Sequence, residues 1–191
     1  TSVKIAEQLK VKTGTPVILA CGENYPDALA VSSIAAAKQY PILLVRKEGL
    51  SEVVSQELSL IKPSKIYIIG LEGAISPAVV SQVAQITDLS AENIIRIGGA
   101  NRYATSLAIA EYFNLGREII CLATGRNYPD ALAGSIYAAK HKAPIILTDS
   151  TLPVQTANFI KLRKPAEIIM FGGEAVIGKP IEEQLKILIK K

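Results

Sequence analysis

Chemistry-bearing side chains are scarce in this sequence of 191 residues, which has one histidine, two cysteines, one methionine and no tryptophan. A single histidine excludes a multi-histidine zinc site and any Ser-His-Asp chemistry not built on His141 itself. Lys140-His141-Lys142 reads as the charged, exposed end of a helix rather than as a catalytic base. Aromatic residues make up only 5% of the chain. That argues against stacked aromatic platforms for sugars and against single-stranded nucleic acid. No apolar run reaches the roughly 18 residues that a membrane-spanning helix needs. Cys21 and Cys121 each lie in an apolar run, at non-equivalent places in the two halves of the chain. Two buried thiols fit that placement better than a disulfide. The opening Thr1-Ser2-Val3 carries neither an initiator Met nor a signal-peptide pattern and reads as the start of an excised piece.

What the chain does have is apolar material: 49% hydrophobic residues against 20% charged, with a mean hydropathy of +0.30. Such a chain must form a core. The net charge of +4 favours acidic partners weakly.

An internal repeat organises the sequence. Residues 18–45 align without gaps on residues 121–148, with 16 of 28 positions identical. At the centre, Gly22-Glu23-Asn24-Tyr25-Pro26-Asp27-Ala28-Leu29-Ala30 stands against Gly125-Arg126-Asn127-Tyr128-Pro129-Asp130-Ala131-Leu132-Ala133. Further along, Ile68-Ile69-Gly70 matches Met170-Phe171-Gly172, and Thr1-Ser2 matches Thr105-Ser106. A period near 100 residues is too long for a solenoid unit, so the reading is one small domain duplicated, 1–93 and 94–191. The second copy opens with Arg96-Ile97-Gly98-Gly99-Ala100-Asn101-Arg102-Tyr103, for which the first has no counterpart. The first copy therefore lacks its opening strand.

Each copy alternates helix and strand. Along residues 1–97, strands are predicted at 17–21, 41–45, 65–70 and 93–97, with helices at 2–12, 26–39, 52–61 and 77–86. Short strands apolar on both faces and joined through helices imply a parallel sheet covered on both sides.

In such a sheet, ligands meet the loops after the strand C-terminal ends, where both copies of Gly-x-Asn-Tyr-Pro-Asp-Ala-Leu fall. Two readings fit this motif. Asn24 and Asp27 have capping-box spacing before a helix, so the turn can be purely structural; its recurrence also suits a repeated binding surface. The glycine turns at Gly70, Gly98 and Gly172 do not complete a dinucleotide or phosphate-loop fingerprint, so no nucleotide cofactor and no metal is read from them. Glu7 and Glu111 stand on helix faces as solvated charges, and nothing separates Asp27 and Asp130 from capping roles, so no catalytic residue is assigned. Basic residues in the loops after strands are Arg46-Lys47, Arg126, and Arg96 with Arg102; of these the four arginines are taken as candidates. With Asn24, Tyr25, Asp27, Asn101, Tyr103, Asn127, Tyr128 and Asp130 they form the candidate set for polar and ionic recognition.

Four strings occur in cyclic order: the Gly22–Ala30 motif, Ala143-Pro144-Ile145-Ile146-Leu147-Thr148, Ile66-Tyr67-Ile68-Ile69-Gly70 with Gly73 and Ile75-Ser76 beyond it, and Arg96-Ile97 with Gly99, Asn101-Arg102-Tyr103 and Thr105-Ser106. Together they resemble the cell wall-binding repeat type 2 family of Gram-positive surface proteins, including clostridial surface-layer-associated proteins, over nearly the whole chain. The resemblance implies an α/β fold of tandem toprim-like (Rossmann-like in class) modules, three of which pack around a pseudo-threefold axis. It implies an extracellular, non-catalytic anchor that attaches its parent protein to an anionic cell-wall polysaccharide or a teichoic-acid-like polymer, with neighbouring copies of the module as partners and no nucleic acid. A family motif tied to wall attachment falls on Ile42, Leu43, Leu44 and on Ile145, Ile146, Leu147. Physically these runs read as buried second strands. The contrasting reading is a wall-active hydrolase, or another enzyme, using the motif carboxylates. Two copies alone do not complete a threefold.

Overall fold

A computed structural model describes residues 1–189. The first copy folds as α1 (Ser2–Leu9), β1 (Val17–Cys21), α2 (Tyr25–Lys38), β2 (Ile42–Val45), α3 (Glu52–Ile61), β3 (Ile66–Ile69) and α4 (Pro77–Thr87). A short 3-10 turn leads into β4 (Ile94–Ile97) and α5 (Arg102–Tyr112). The second copy continues with β5 (Ile119–Thr124), α6 (Pro129–Lys140), β6 (Ile145–Thr148), α7 (Val154–Arg163), β7 (Glu167–Phe171) and α8 (Lys179–Ile189). The fold class is α/β, two parallel sheets flanked by helices, as the apolar runs predict. Among the described residues no helix is long and apolar enough to cross a membrane.

The sheets are ordered β2-β1-β3-β4 and β6-β5-β7, and every pairing is parallel. Successive residues of a strand face opposite sides, and β1 shows the result. Val17, Leu19 and Cys21 enter a core beneath α3 and α4, whereas Ile18 enters a second core shared by both copies. That shared core joins Ile18, Leu29, Ile34 and Ile69 to Ile109, Cys121, Ala131, Ile145 and Leu147. The second sheet has its own outer core of Ile120, Leu122, Ile146, Phe159 and Leu185. The two copies are therefore welded by a common apolar layer. Both thiols are free and buried, and burial pushes the Cys121 thiol up to about 12.

Two features differ from the sequence reading. By repeat, residues 94–97 open the second copy; by hydrogen bonding, β4 is the outer strand of the first copy's sheet, with Ile66 opposite Ile94 and Ile69 opposite Ile97. A cut between 93 and 94 would remove a strand from the sheet to which it is bonded. The second difference concerns the apolar second strands. β6 is buried throughout, but in β2 Ile42 is half-buried and Leu44 is 42% exposed. Both are edge strands, and the helix over each decides the outcome. The Arg102 and Tyr103 side chains at the start of α5 lie against Gly125, next to Leu147. α1 begins at Ser2, whose hydroxyl accepts from the Leu44 amide at 3.0 Å just as Ser106 accepts from Leu147, but it carries no aromatic residue over Leu44.

Candidate functional site

The first sheet reverses its strand order at β1: β2 lies on one side and β3 on the other. At such a switch point the loops leaving adjacent strands diverge and leave a crevice beyond the strand C-terminal ends. A cleft of about 630 Å³ lies there. Its walls come from the turn after β1 (Glu23, Asn24, Pro26, Asp27), from Lys47 after β2, from Leu71 to Ala74 after β3, and from Gly99 to Arg102 with Thr105. The last group belongs by repeat to the second copy. One copy supplies the floor, and the leader of the next closes the cleft.

Asn24 holds the N-cap position of α2 in extended conformation, but its side chain takes no bond from the first-turn amides. The capping-box reading fails there, and the Asn24 side chain is left at the cleft. Asn101 does cap: its Oδ1 accepts from the Ala104 amide at 3.0 Å at the start of α5. Asp27 sits in the first turn of α2 against the strand-end glycine, its carboxylate 2.6 Å from where a Cβ on Gly70 would stand. Gly70 has φ +102°, so this tight approach also needs a residue free to adopt a left-handed backbone. Burial raises the Asp27 carboxyl above its ordinary value, while the Arg102 charge and a bond from the Thr105 hydroxyl oppose the shift.

Arg102 bridges the copies. Its Nη1 donates to the Gly125 carbonyl, and its guanidinium lies 5.8 Å from the centre of the Tyr25 ring, within cation–π range. The Tyr25 hydroxyl donates to the Arg126 carbonyl at 3.1 Å, and its ring meets Tyr128 edge-on at 5.5 Å. The two Asn-Tyr-Pro-Asp turns are thus neighbours, with Arg102 between them. Arg126 lies 4.0 Å from Asp149 and is well exposed. Burial, and then a bond to Asp149, raise the Tyr103 hydroxyl's pKa.

Other candidates lie apart from this cluster. Arg96 donates to the Gly70 carbonyl at 2.9 Å, and burial lowers its pKa, so its visible role is to fasten β4 to the first sheet. Arg46 is exposed at the end of β2. Asn127 is exposed, and Asp130 stands against Gly172 as Asp27 stands against Gly70. His141 is exposed at the end of α6, stacked on Tyr137 at 4.3 Å. Sequence reasoning placed Lys47 in a loop after a strand without choosing it as a site residue, and it missed Thr105, visible only as the residue matching Thr1. Among the described residues no group of three or more His, Cys, Asp or Glu side chains converges as a metal would need.

Comparison with known proteins gives a consistent pattern. The chain is 29% identical over 187 residues to the N-acetylmuramoyl-L-alanine amidase LytC of Bacillus subtilis, covering 97% of this chain and 36% of that protein. It is 30% identical to the amidase enhancer of the same organism, over 95% of this chain and 24% of that protein. The chain thus spans about a third or less of these two relatives. Among solved structures, Cwp6 from Clostridium difficile superposes with a TM-score of 0.89 at 29% identity, over 98% of this chain and 30% of that one. Cwp8 from the same organism gives 0.83 at 27% identity, over 98% and 32%. The sequence profile of the cell wall binding domain 2 family matches residues 1–80 and 96–182, and on that match, which takes in both copies, the chain belongs to the cell wall binding domain 2 family, a module of the cell wall.

Proposed function

We propose that this cell-wall-binding chain is a non-catalytic anchor, holding its parent protein to an anionic secondary wall polymer, a polysaccharide or a teichoic-acid-like chain. The cleft at the switch point carries the reading. It presents cations at Arg102 and Lys47, side-chain amides at Asn24 and Asn101, and the amide-rich start of α5. Carboxylate or phosphate groups suit the cations and the helix start, and Asp27 is placed to accept from sugar hydroxyls. Tyr25, Tyr103, Arg126, Asn127, Tyr128 and Asp130 extend the same polar surface toward the second copy, and Arg46 adds charge at the β2 end.

Ionic recognition weakens as salt shortens the screening length from ~10 Å at 0.1 M to ~3 Å at 1 M. Pull-down on purified wall polymer should fall with rising salt and fall about tenfold in Arg102→Ala, the loss of one charge-assisted contact of roughly 1.5 kcal/mol. Retention indifferent to salt and to Arg102 sinks the ionic mechanism. The hydrolase reading makes a different prediction: product released from wall polymer by the chain alone and lost in Asp27→Asn.

A third copy is the partner that the shape favours. The outward face of α6, with Leu132 55% and Ile136 78% exposed, repeats the face of α2 that packs inside the pair. Light scattering of the chain, alone and with one added copy, tests whether that face is closed by a further copy.

A further inference from the structure

In a parallel sheet the connecting helices run against the strands, so each ends at the strand N-terminal side, away from the cleft. Hydrogen bonds and ring contacts join these ends into one face. The Gly14 amide beyond α1 donates to the Ile61 carbonyl at the end of α3 at 2.9 Å. The Lys38 ammonium at the end of α2 lies 5.7 Å from the centre of the Phe113 ring just beyond α5. In the last turn of α7 the Arg163 Nη1 donates to the Asn114 Oδ1 at 2.7 Å. Both copies contribute helix ends to this face.

Charge is divided between the two ends of the molecule. The loops from helix to strand carry Lys10, Lys12, Lys62, Lys65, Lys142 and Lys164, whereas those from strand to helix carry a single lysine, Lys47. Acid in the helix-to-strand loops is limited to Asp88, Glu92 and Glu118, the last beside Arg117. The ion pairs among the described residues engage Lys4, Lys47, Arg126, Lys179 and Lys186, and none of these six lysines. Lys10, Lys62, Lys142 and Lys164 sit in left-handed backbone, with φ between +45° and +51°, at the place after a helix where glycine is usual. A lysine there complements the negative helix end, and all four side chains are exposed.

Apolar side chains stand among these charges. Leu60 on α3 and Leu162 on α7 are 73% and 76% exposed, and each precedes a left-handed lysine by two residues. The rest of the two helices differs widely in sequence, so this one place keeps an exposed leucine in both copies. Tyr112, in the last turn of α5, is also exposed. A dissolved polyanion would reward the lysines and not the leucines. A lipid surface rewards both, taking apolar side chains at the acyl boundary and ammonium groups among its headgroups.

We propose that the helix-end face docks on an anionic lipid surface, with its lysines at the headgroup phosphates and Leu60, Leu162 and Tyr112 at the acyl boundary. No residue of the cleft takes part. The cleft opens at the opposite end and stays free for its polymer while the chain lies on lipid.

The test is co-sedimentation of the whole chain with vesicles of phosphatidylcholine alone or mixed with phosphatidylglycerol. Binding to the mixed vesicles is expected, and binding about tenfold or more weaker to the neutral ones. Lys62→Asn with Lys164→Asn keeps residues that suit a left-handed backbone and should weaken binding to the mixed vesicles roughly 30-fold, the worth of two lysines near an anionic leaflet. Leu60→Ser with Leu162→Ser should weaken it about tenfold and leave retention on wall polymer unchanged. Arg102→Ala should do the reverse, lowering polymer retention and leaving vesicle binding as it is, so the two sites fail separately. No binding to either vesicle, equal binding to both, or full binding by the leucine pair overturns the proposal. Loss of polymer retention in the lysine pair, without vesicle binding by the unaltered chain, overturns it too and assigns the face to the polymer.

Discussion

The helices α2 and α6 share Pro-Asp-Ala-Leu-Ala in their first turns and end up in opposite surroundings. On α2, Leu29 is 6% exposed and Ser33 and Ile34 are buried; on α6 the matching Leu132, Ile136 and Tyr137 are all exposed. β3 and β7 differ in the same sense. Local sequence sets what these elements are, and position in the array sets what they bury. An element whose neighbour is another copy has no fixed environment until that copy is in place.

The sharpest way to break the comparison is Gly98→Val. A Cβ at that position meets the Gly70 and Leu71 backbones at 2.7 and 2.8 Å, which cannot yield as a side chain would. A loss of about 3 kcal/mol or more is expected in urea unfolding, with exchange rising across β3 and not across β7. Leu29→Ala and Leu132→Ala come next. The first should cost about 2–4 kcal/mol as a core truncation, and the second about 0.5 or less; equal costs would mean that α6 is already covered in solution. A smaller effect is expected at the paired tyrosines. Tyr25→Phe removes the bond to the Arg126 carbonyl and should cost about 0.5–1 kcal/mol. Tyr128→Phe loses no hydroxyl bond of this kind and should be near neutral.

The subtlest contrast is one of pH. The Asp27 carboxyl is raised above its ordinary 3.8, so the native state favours its protonated form. Its contribution is full below the ordinary value and is lost as pH rises through the raised one. Asp27→Asn should therefore flatten the fall in melting temperature over that window. A curve of unchanged slope would show that Arg102 and Thr105 compensate the burial of Asp27 completely.

Much of the fold was legible because parallel strands covered on both faces are continuous apolar runs. β1 and α3 lie where periodicity puts them, and most other ends move by one or two residues, with α1 stopping sooner. The repeat gave the duplication and the neighbourhood of the site. What it could not give was ownership. Sequence period assigns Ile94–Ile97 to the second copy, but edge pairing depends on which strand lies nearby in space, and periodicity carries no such information. The same gap hid Thr105, which reaches the cleft from the first turn of α5, far in the chain from Lys47 in the loop after β2. It also made Asn24 look like a cap, since spacing alone does not show where an amide side chain turns.

The crossover of β4 has a mechanical consequence. A parallel ladder that ties one copy to the leader of the next is loaded along its length when the ends of the array are pulled apart, so its bonds share the strain together instead of parting one after another. Tension along the chain would be met at the seam between copies by this shear-bearing splice, leaving the loops that rim the cleft unstretched.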